Sequence, residues 1–519
     1  MASECKRHKN THPRNHLKAT TPRENLLMEL RPAFEAAPVV KALINIGALL
    51  DVPTGTFLEG RLGQYILNGG LGALTGIVGI GNNFKSTLMH FQFLTAMSRM
   101  RGSIGNTYDT EVNIQEWHLL EMINRIEEFG GEDILTNARW VITDKTVLSG
   151  NKWWDALKEW LEAKLKNSSK LSVSTPFWNR GRQGPLMILQ PTFTEVDSFT
   201  EFETDDVTAM QDVELGDSKG NTIHMRQGLA KLRLLMEAPR LAGGGYNYTL
   251  MTAHIGKEST MQQAGGGQQV PIQKLKHLKN GDKIKGTTDK FTFVTHNCWH
   301  AFNAAPLIND GTKGPEYPRN SDDNLKLDTD LNIVHIRNLR AKSGPTGMTL
   351  QLIVSQTEGV LPSLTEFHHI RNNARYGMVK PGGSSYDIAL YPDCSLQRTT
   401  VRGKIDNDAR LRRALNITSE MCQMDYMWHH LDEGIMCTPQ ELYDDLKAKG
   451  YDWNQLLDTR GWWTINDEEH PIPFLSTMDL LRMRAGLYHP YWLAEDKKTR
   501  VVGYHGTTKA DVGTLAKAA

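Results

Sequence analysis

Between Leu74 and Met89 the chain reads LTGIVGIGNNFKSTLM: an apolar run, a glycine-rich loop, Lys-Ser-Thr, then a helix-forming stretch. That order dictates a strand, a tight loop and a helix N-terminus in immediate succession, the layout of a triphosphate-binding loop. The strict pattern asks for Gly, four residues, then Gly-Lys-Ser/Thr. Here Gly79 is followed by Ile80, Gly81, Asn82 and Asn83, and Phe84 stands where the second glycine belongs. Gly79 and Gly81 are expected to let the backbone curl, so that successive N–H groups face phosphate oxygens while the helix beginning near Lys85 adds the positive end of its dipole. In this reading Lys85 reaches the β- and γ-phosphates of ATP, Ser86 ligates Mg²⁺, and the stretch through Thr87 belongs to the nucleotide site.

Three further pieces follow in an order that suits such a loop. Asn106 to Glu111, NTYDTE, reads as a strand that stops near Glu111. A carboxylate is useful there because phosphoryl transfer leaves the protein mainly to position a nucleophile and stabilise charge. Pro191 to Phe199, PTFTEVDSF, is β-branched and aromatic, and carries Asp197 at its end, where it would hold the metal's water shell. Tyr248 to Lys257, YTLMTAHIGK, is a third buried-strand pattern, ending near His254, a side chain able to sense a γ-phosphate. Helical patterns at Ile114 to Phe129 and Ile223 to Glu237 separate these strands. Right-handed βαβ crossovers and a mostly parallel α/β sheet follow, with nucleotide at the strands' carboxyl ends.

With these residues in place the chain resembles the RecA-type DNA strand-exchange recombinases, and within them the bacteriophage branch known as UvsX. The resemblance rests on Phe84-Lys85-Ser86, Tyr108-Asp109-Thr110-Glu111 and Ala253-His254-Ile255, with Thr54-Gly55-Thr56 and Asn68-Gly69-Gly70-Leu71-Gly72 as the lead-in. Ile336 to Thr349, Gly359 to Pro362 and Leu364 to Pro381 resemble the closing part of that core. The likeness covers roughly residues 40 to 425. It implies a RecA-like P-loop ATPase core, catalysis by Glu111, Lys85 and His254, and filaments on single-stranded DNA that pair with duplex. It also implies cations acting in trans on the neighbouring subunit's ATP, from Arg337, Arg340 and Lys342. The family's adenine-stacking tyrosine is absent; Trp117 and His118 occupy that neighbourhood, and either can stack.

The DNA loops of the family should follow the second and third strands. Thr200 to Asn221 is acidic and ill suited to a nucleic-acid backbone. Lys257 to Lys290 is better, with Gly265, Gly266 and Gly267 for an ordering transition, Gln268 for polar contacts, and Lys274 and Lys276 among the cations that release counterions. Such local placement is needed because Lys+Arg and Asp+Glu both number 59, leaving no global basic field.

At 519 residues the chain can bury one large core and small satellites. The division expected is a basic arm and N-terminal helical oligomerisation segment over 1–50, the ATPase core over 51–400 with an insertion near 150–190, and a small, mainly helical C-terminal domain over 401–519. Glu24 to Leu50 reads as helical, and Phe34-Glu35-Ala36-Ala37 resembles the aromatic-x-x-alanine plug by which some recombinases join subunits; packing on the chain's own core would explain it equally. Five scattered cysteines without a Cys-x-x-Cys pair point to a reducing cytoplasm, a host's if the chain is phage-encoded. Cys422, His429, His430 and Cys437 match no standard zinc spacing. No apolar span is long enough for a membrane helix. A phage loader or single-strand-binding protein would be a natural partner.

The rival reading is a DnaB-like hexameric replicative helicase, whose closing motif Arg340 to Gly347 also resembles. Ser198 after Asp197 favours the recombinase, as do the roughly seventy residues before the loop, too few for that helicase's collar domain.

Overall fold

Apolar, β-branched runs pair into one large sheet because their residues are buried on both faces, as Leu74–Gly79 and Thr192–Asp197 are throughout. The computed structural model describes residues 40–179, 184–205, 220–257, 275–287, 290–320, 328–373, 375–379, 385–428 and 434–493, with backbone alone at 220–227. Numbering the strands of the main sheet only, β1 is Leu74–Gly79, β2 Ile104–Asp109, β3 Trp140–Asp144, β4 Thr192–Asp197, β5 Asn247–Lys257, β6 Asp282–Ile284, β7 Asn297–Pro306, β8 Leu331–Ala341, β9 Thr349–Ser355 and β10 Gly359–Val360. Their order is β10-β9-β8-β7-β1-β5-β4-β2-β3, with β6 on β5.

Strands β3, β2, β4, β5, β1 and β7 run parallel. Strands β6, β8, β9 and β10 join antiparallel. The architecture is therefore α/β, on a large mixed sheet of mostly parallel strands. The chain leaves β1 toward β2 on one side and leaves β5 toward β7 on the other. Neighbouring strands whose connections part in this way open a crevice at their carboxyl ends.

The longer helices are α1 Lys85–Arg99, α2 Glu116–Asn124, α3 Gly150–Lys166, α4 Gly220–Gly245, α5 Pro362–Asn372, α6 Val401–Asn407, α7 Ala409–Met427, α8 Pro439–Ala448 and α9 Thr477–Arg484. Helices α1 and α2 share a core with Ile77, Phe193 and Leu250. Helices α3 and α4 share another with Val78, Val196 and Met251. Alternate residues of the same strands thus feed opposite faces, as the period of two requires. Helix α3 and the antiparallel hairpin Ser172–Asn179 with Gly184–Leu189 form the segment expected as an insertion. Trp153 of α3 stacks on Tyr108 of β2 at 4.8 Å between ring centres, bracing the strand that leads to Glu111.

Helices α5 to α9 pack around a third core that includes Val52, Leu67, Leu331 and Ile353. Ser476 caps α9, accepting from the Asp479 N–H at 3.0 Å. The expected helix over 24–50 does not reach its stated end: residues 40–50 are not helical, and Ile44 exchanges backbone hydrogen bonds with Leu71. The apolar spacing behind that expectation, Leu26 to Phe34, lies outside the described residues. Leu43, Ile44 and Ile46 are buried in extended chain, where tertiary contacts override helix propensity. Among the described residues no helix is long and apolar enough to cross a membrane.

Candidate functional site

Strand β1 ends at Gly79, where an added Cβ would meet the Ala301 carbonyl oxygen at 2.5 Å, so only glycine fits. The loop then turns through left-handed torsions at Asn82 (φ 61°) and Phe84 (φ 57°). This corrects the expectation that Gly81 supplies the curl: its φ is not left-handed, and a Cβ there would meet nothing within 4 Å. The curl falls on Asn82, which tolerates that region, and on Phe84, which does not. Phe84, standing where the strict motif has its second glycine, thus adopts a torsion that glycine takes without strain. The Asn83 side-chain amide donates to the Ala301 carbonyl at 2.9 Å, tying the loop to β7.

Helix α1 begins at Lys85 with no side-chain cap. The N–H groups of its first turn have no intrahelical acceptor and are of the kind that can receive an anion. The Lys85 ammonium donates to the Ile80 carbonyl at 2.8 Å, arching over the loop. Burial lowers the Lys85 pKa, and the carboxylates of Asp197 and Glu111 oppose that shift. The charges nearest the lysine are thus the two acids that the sequence places in the site.

Asp197 ends β4, and its neighbour β5 supplies Thr252, whose hydroxyl donates to Asp197 Oδ1. Its other oxygen, Oδ2, is buried and has no hydrogen-bond partner among the described residues. Ser86, Thr87 and Asp197 line one cleft of about 250 Å³. An orphaned carboxylate oxygen beside a serine hydroxyl, both oxygen donors, fits a hard divalent cation.

Glu111 follows β2, and its backbone is placed by a residue whose role the motif reading missed. The Asp109 carboxylate accepts from four successive N–H groups, those of Glu111 (2.9 Å), Val112 (2.8 Å), Asn113 (2.8 Å) and Ile114 (3.0 Å). Thr110 ties this turn to β4, donating backbone N–H to the Asp197 carbonyl at 2.7 Å. Held so, Glu111 Oε1 lies 3.0 Å from His254 Nε2 on β5. Burial raises the Glu111 pKa, but hydrogen bonding with His254 and the charge of Lys85 outweigh it, leaving the carboxyl below its ordinary value. The His254 carbonyl accepts from Lys285 N–H at 2.7 Å, so β5 is joined to the segment that follows it.

Trp117 and His118, on α2, line the same cleft as Ser86. Trp117 is 57% exposed and His118 is half-buried, so the indole face is the one open to a flat ligand. Burial and the charge of His90 lower the His118 pKa. Gln356, from the turn between β9 and β10, lines the cleft too, and no motif had indicated it. Nor had any motif indicated His90 of α1, which lines the cleft, and Glu195 of β4, fully buried, which pairs with it, Nδ1 to Oε2 at 3.0 Å. A glutamate within an otherwise β-branched, buried strand was a usable signal, since a buried charge needs a partner.

The three cations expected to act in trans stand on or after β8. Arg337 lies over Phe302 at 4.9 Å and donates to the His277 carbonyl at 3.3 Å. Arg340 lies over the exposed ring of Phe293 at 5.6 Å. Lys342 donates to the Val294 carbonyl at 3.4 Å, and burial with the charge of Arg340 lowers its pKa. In register Arg340 sits opposite Cys298, itself beside Gly76 of β1, so it is set back from this chain's own loop. Of the expected DNA-binding residues, Gly265, Gly266, Gly267, Gln268 and Lys274 lie outside the described residues; Lys276 is exposed. His429 and His430 also lie outside them, and among the described residues no group of three or more His, Cys, Asp or Glu side chains could hold a metal.

No family model matches the chain, and no curated protein matches it either.

Proposed function

We propose that this chain is an ATP-dependent DNA recombinase of the RecA type, which forms filaments on single-stranded DNA and promotes homologous pairing and strand exchange. One observation carries the reading. The phosphate loop, Asp197 and Glu111 stand at or just beyond the carboxyl ends of β1, β4 and β2, and His254 stands on the neighbouring β5 level with Gly79 at the end of β1.

In this account the first-turn N–H groups of α1 and the Lys85 ammonium hold the β- and γ-phosphates, while Trp117 stacks on the base. Ser86 and Asp197 would hold Mg²⁺, which when bound neutralises charge on the phosphate chain. Glu111, kept ionised by its surroundings, orients the attacking water and takes its proton as the nucleophile forms. His254 reads the presence of the γ-phosphate through Glu111 and passes it along β5 to the segment beyond Lys257. Lysines and amides of that segment grip DNA backbone, and base pairing supplies sequence specificity. Arg337, Arg340 and Lys342 would complete the site of an adjoining subunit, coupling hydrolysis to assembly.

The test is to image the full chain with single-stranded DNA and a slowly hydrolysed ATP analogue. Helical filaments, with strand exchange between homologous DNAs, support the recombinase. Closed hexameric rings support a replicative helicase instead.

A further inference from the structure

Helix α1 carries two residues toward β4 one turn apart, Ser86 and His90, and β4 answers with two alternate residues, Asp197 and Glu195. The upper pair lines the proposed phosphate and cation end of the cleft. The lower pair is unusual: His90 is 3% exposed, Glu195 fully buried, and yet His90 also lines the cleft. Its Nδ1 is committed to Glu195, at 3.0 Å to Oε2 and 3.2 Å to Oε1. Glu195 is fixed in turn by the Thr107 hydroxyl at 2.7 Å, and that hydroxyl accepts from the Trp140 indole N–H at 2.7 Å. The ring therefore has one orientation, and its Nε2 makes no hydrogen bond among the described residues. A carboxylate at one imidazole nitrogen, with the other turned to a cavity, is how proteins aim a histidine at a ligand.

We propose that His90 is a nucleotide-binding residue, donating from Nε2 to an α-phosphate oxygen. The assignment rests on the triphosphate reading of the cleft. His90 lines the same cleft as Ser86 and Thr87, assigned to the terminal phosphates, and Trp117, assigned to the base, and the α-phosphate is the group that joins those two parts of a nucleotide. It is three residues beyond Thr87 and so on a neighbouring part of the same helix face. Burial alone would favour a neutral ring, but Glu195, with Asp197 and Asp109 behind it, outweighs burial and raises the His90 pKa, which favours the protonated ring whose Nε2 can donate. A charged donor in a dry site matches a phosphate oxygen better than a ribose hydroxyl or a base edge.

Removing His90 alone would strand the Glu195 carboxylate in the interior and put folding at risk. The informative variant replaces both partners with apolar side chains of similar size, His90→Leu with Glu195→Met. Binding of adenosine, AMP, ADP and ATP to the full chain and to the double variant is measured by titration, with melting temperature as the check on folding. The expected result is unchanged affinity for adenosine and a loss of about tenfold or more, equal for AMP, ADP and ATP, as befits one charged hydrogen bond to the phosphate all three share. Equal affinities for all four ligands, or equal loss for all four including adenosine, would overturn the assignment and leave His90 a packing residue. If the unaltered chain binds no nucleotide, the triphosphate reading itself fails, a result distinct from either.

Discussion

Glu111 and His254 meet at 3.0 Å although 143 residues separate them, because only β4 lies between their strands, Glu111 follows the end of β2, and His254 stands on β5 level with Gly79 at the end of β1. Their contact gives the carboxylate proposed to act on the attacking water a direct link to the strand that leads into the lysine-rich segment. His254→Asn should keep ATP binding but lose the stimulation of ATP turnover by single-stranded DNA. Phosphate release measured with and without DNA checks this; stimulation equal to the parent's would remove His254 from the coupling.

Lys85 is held among carboxylates and a carbonyl with no redundant cation beside it in the loop sequence. Lys85→Ala should abolish nucleotide binding while leaving melting temperature near the parent's. Retained ATP affinity in a titration would show that the loop does not cradle phosphate.

Phe84 occupies a left-handed torsion that costs a bulky residue roughly 1–2 kcal/mol, a cost glycine does not bear. Its ring is partly buried against the core beneath. Replacing it by Ala removes the packing and keeps the strain, whereas Gly removes both. Phe84→Gly should therefore be more stable than Phe84→Ala by about 1 kcal/mol in chemical denaturation, the reverse of the order at ordinary positions. An alanine variant more stable than the glycine one would contradict the torsion.

Asp109 satisfies four N–H groups with two oxygens, and asparagine offers only one. Asp109→Asn should loosen residues 111–114, costing about 1–3 kcal/mol for the donors left unsatisfied. ATP should still bind while turnover falls, because Glu111 loses its anchor. Turnover at the parent rate in a steady-state assay would show that the turn is not what aims the carboxylate.

Asp51 and Glu366 lie in a buried network with Arg99, Arg413 and Glu420, and burial pushes their pKa values up to about 7 and about 8 respectively. Folded-state values above the unfolded ones mean that the folded protein binds the extra proton. The contribution to stability is full below about pH 4 and declines as pH rises through the folded values. Melting curves from pH 5 to 9 should show Glu366→Gln gaining on the parent as pH rises, up to about pH 8. A constant difference across that range would place the Glu366 proton elsewhere.

Much of the sheet was legible because its strands announce themselves as β-branched runs: Pro191 to Phe199 became β4, Tyr248 to Lys257 became β5, and Glu111 follows the end of β2. The acids and the loop lysine were legible for the same reason, since each follows a strand that must stop. What the sequence hid was placed by tertiary contact. Gln356 joins the cleft only because β9 and β10 fold back beside α1 and α2. Asp109 carried no role of its own in the sequence, because its part is set by the four backbone N–H groups it accepts from. The non-helical path of residues 40–50 depends on Leu71, far along the chain.

The central claim is that a triphosphate is hydrolysed in the cleft between α1 and the ends of β2, β4 and β5. The most direct measurement is phosphate release from ATP by the full chain with Mg²⁺ and single-stranded DNA, beside Glu111→Gln under the same conditions, with ATP binding titrated for both. The account predicts that both bind ATP and that the glutamine variant turns it over about 100-fold more slowly or worse, the scale of a lost general base. Equal turnover by the two proteins, or no ATP bound by the unaltered chain, would contradict it.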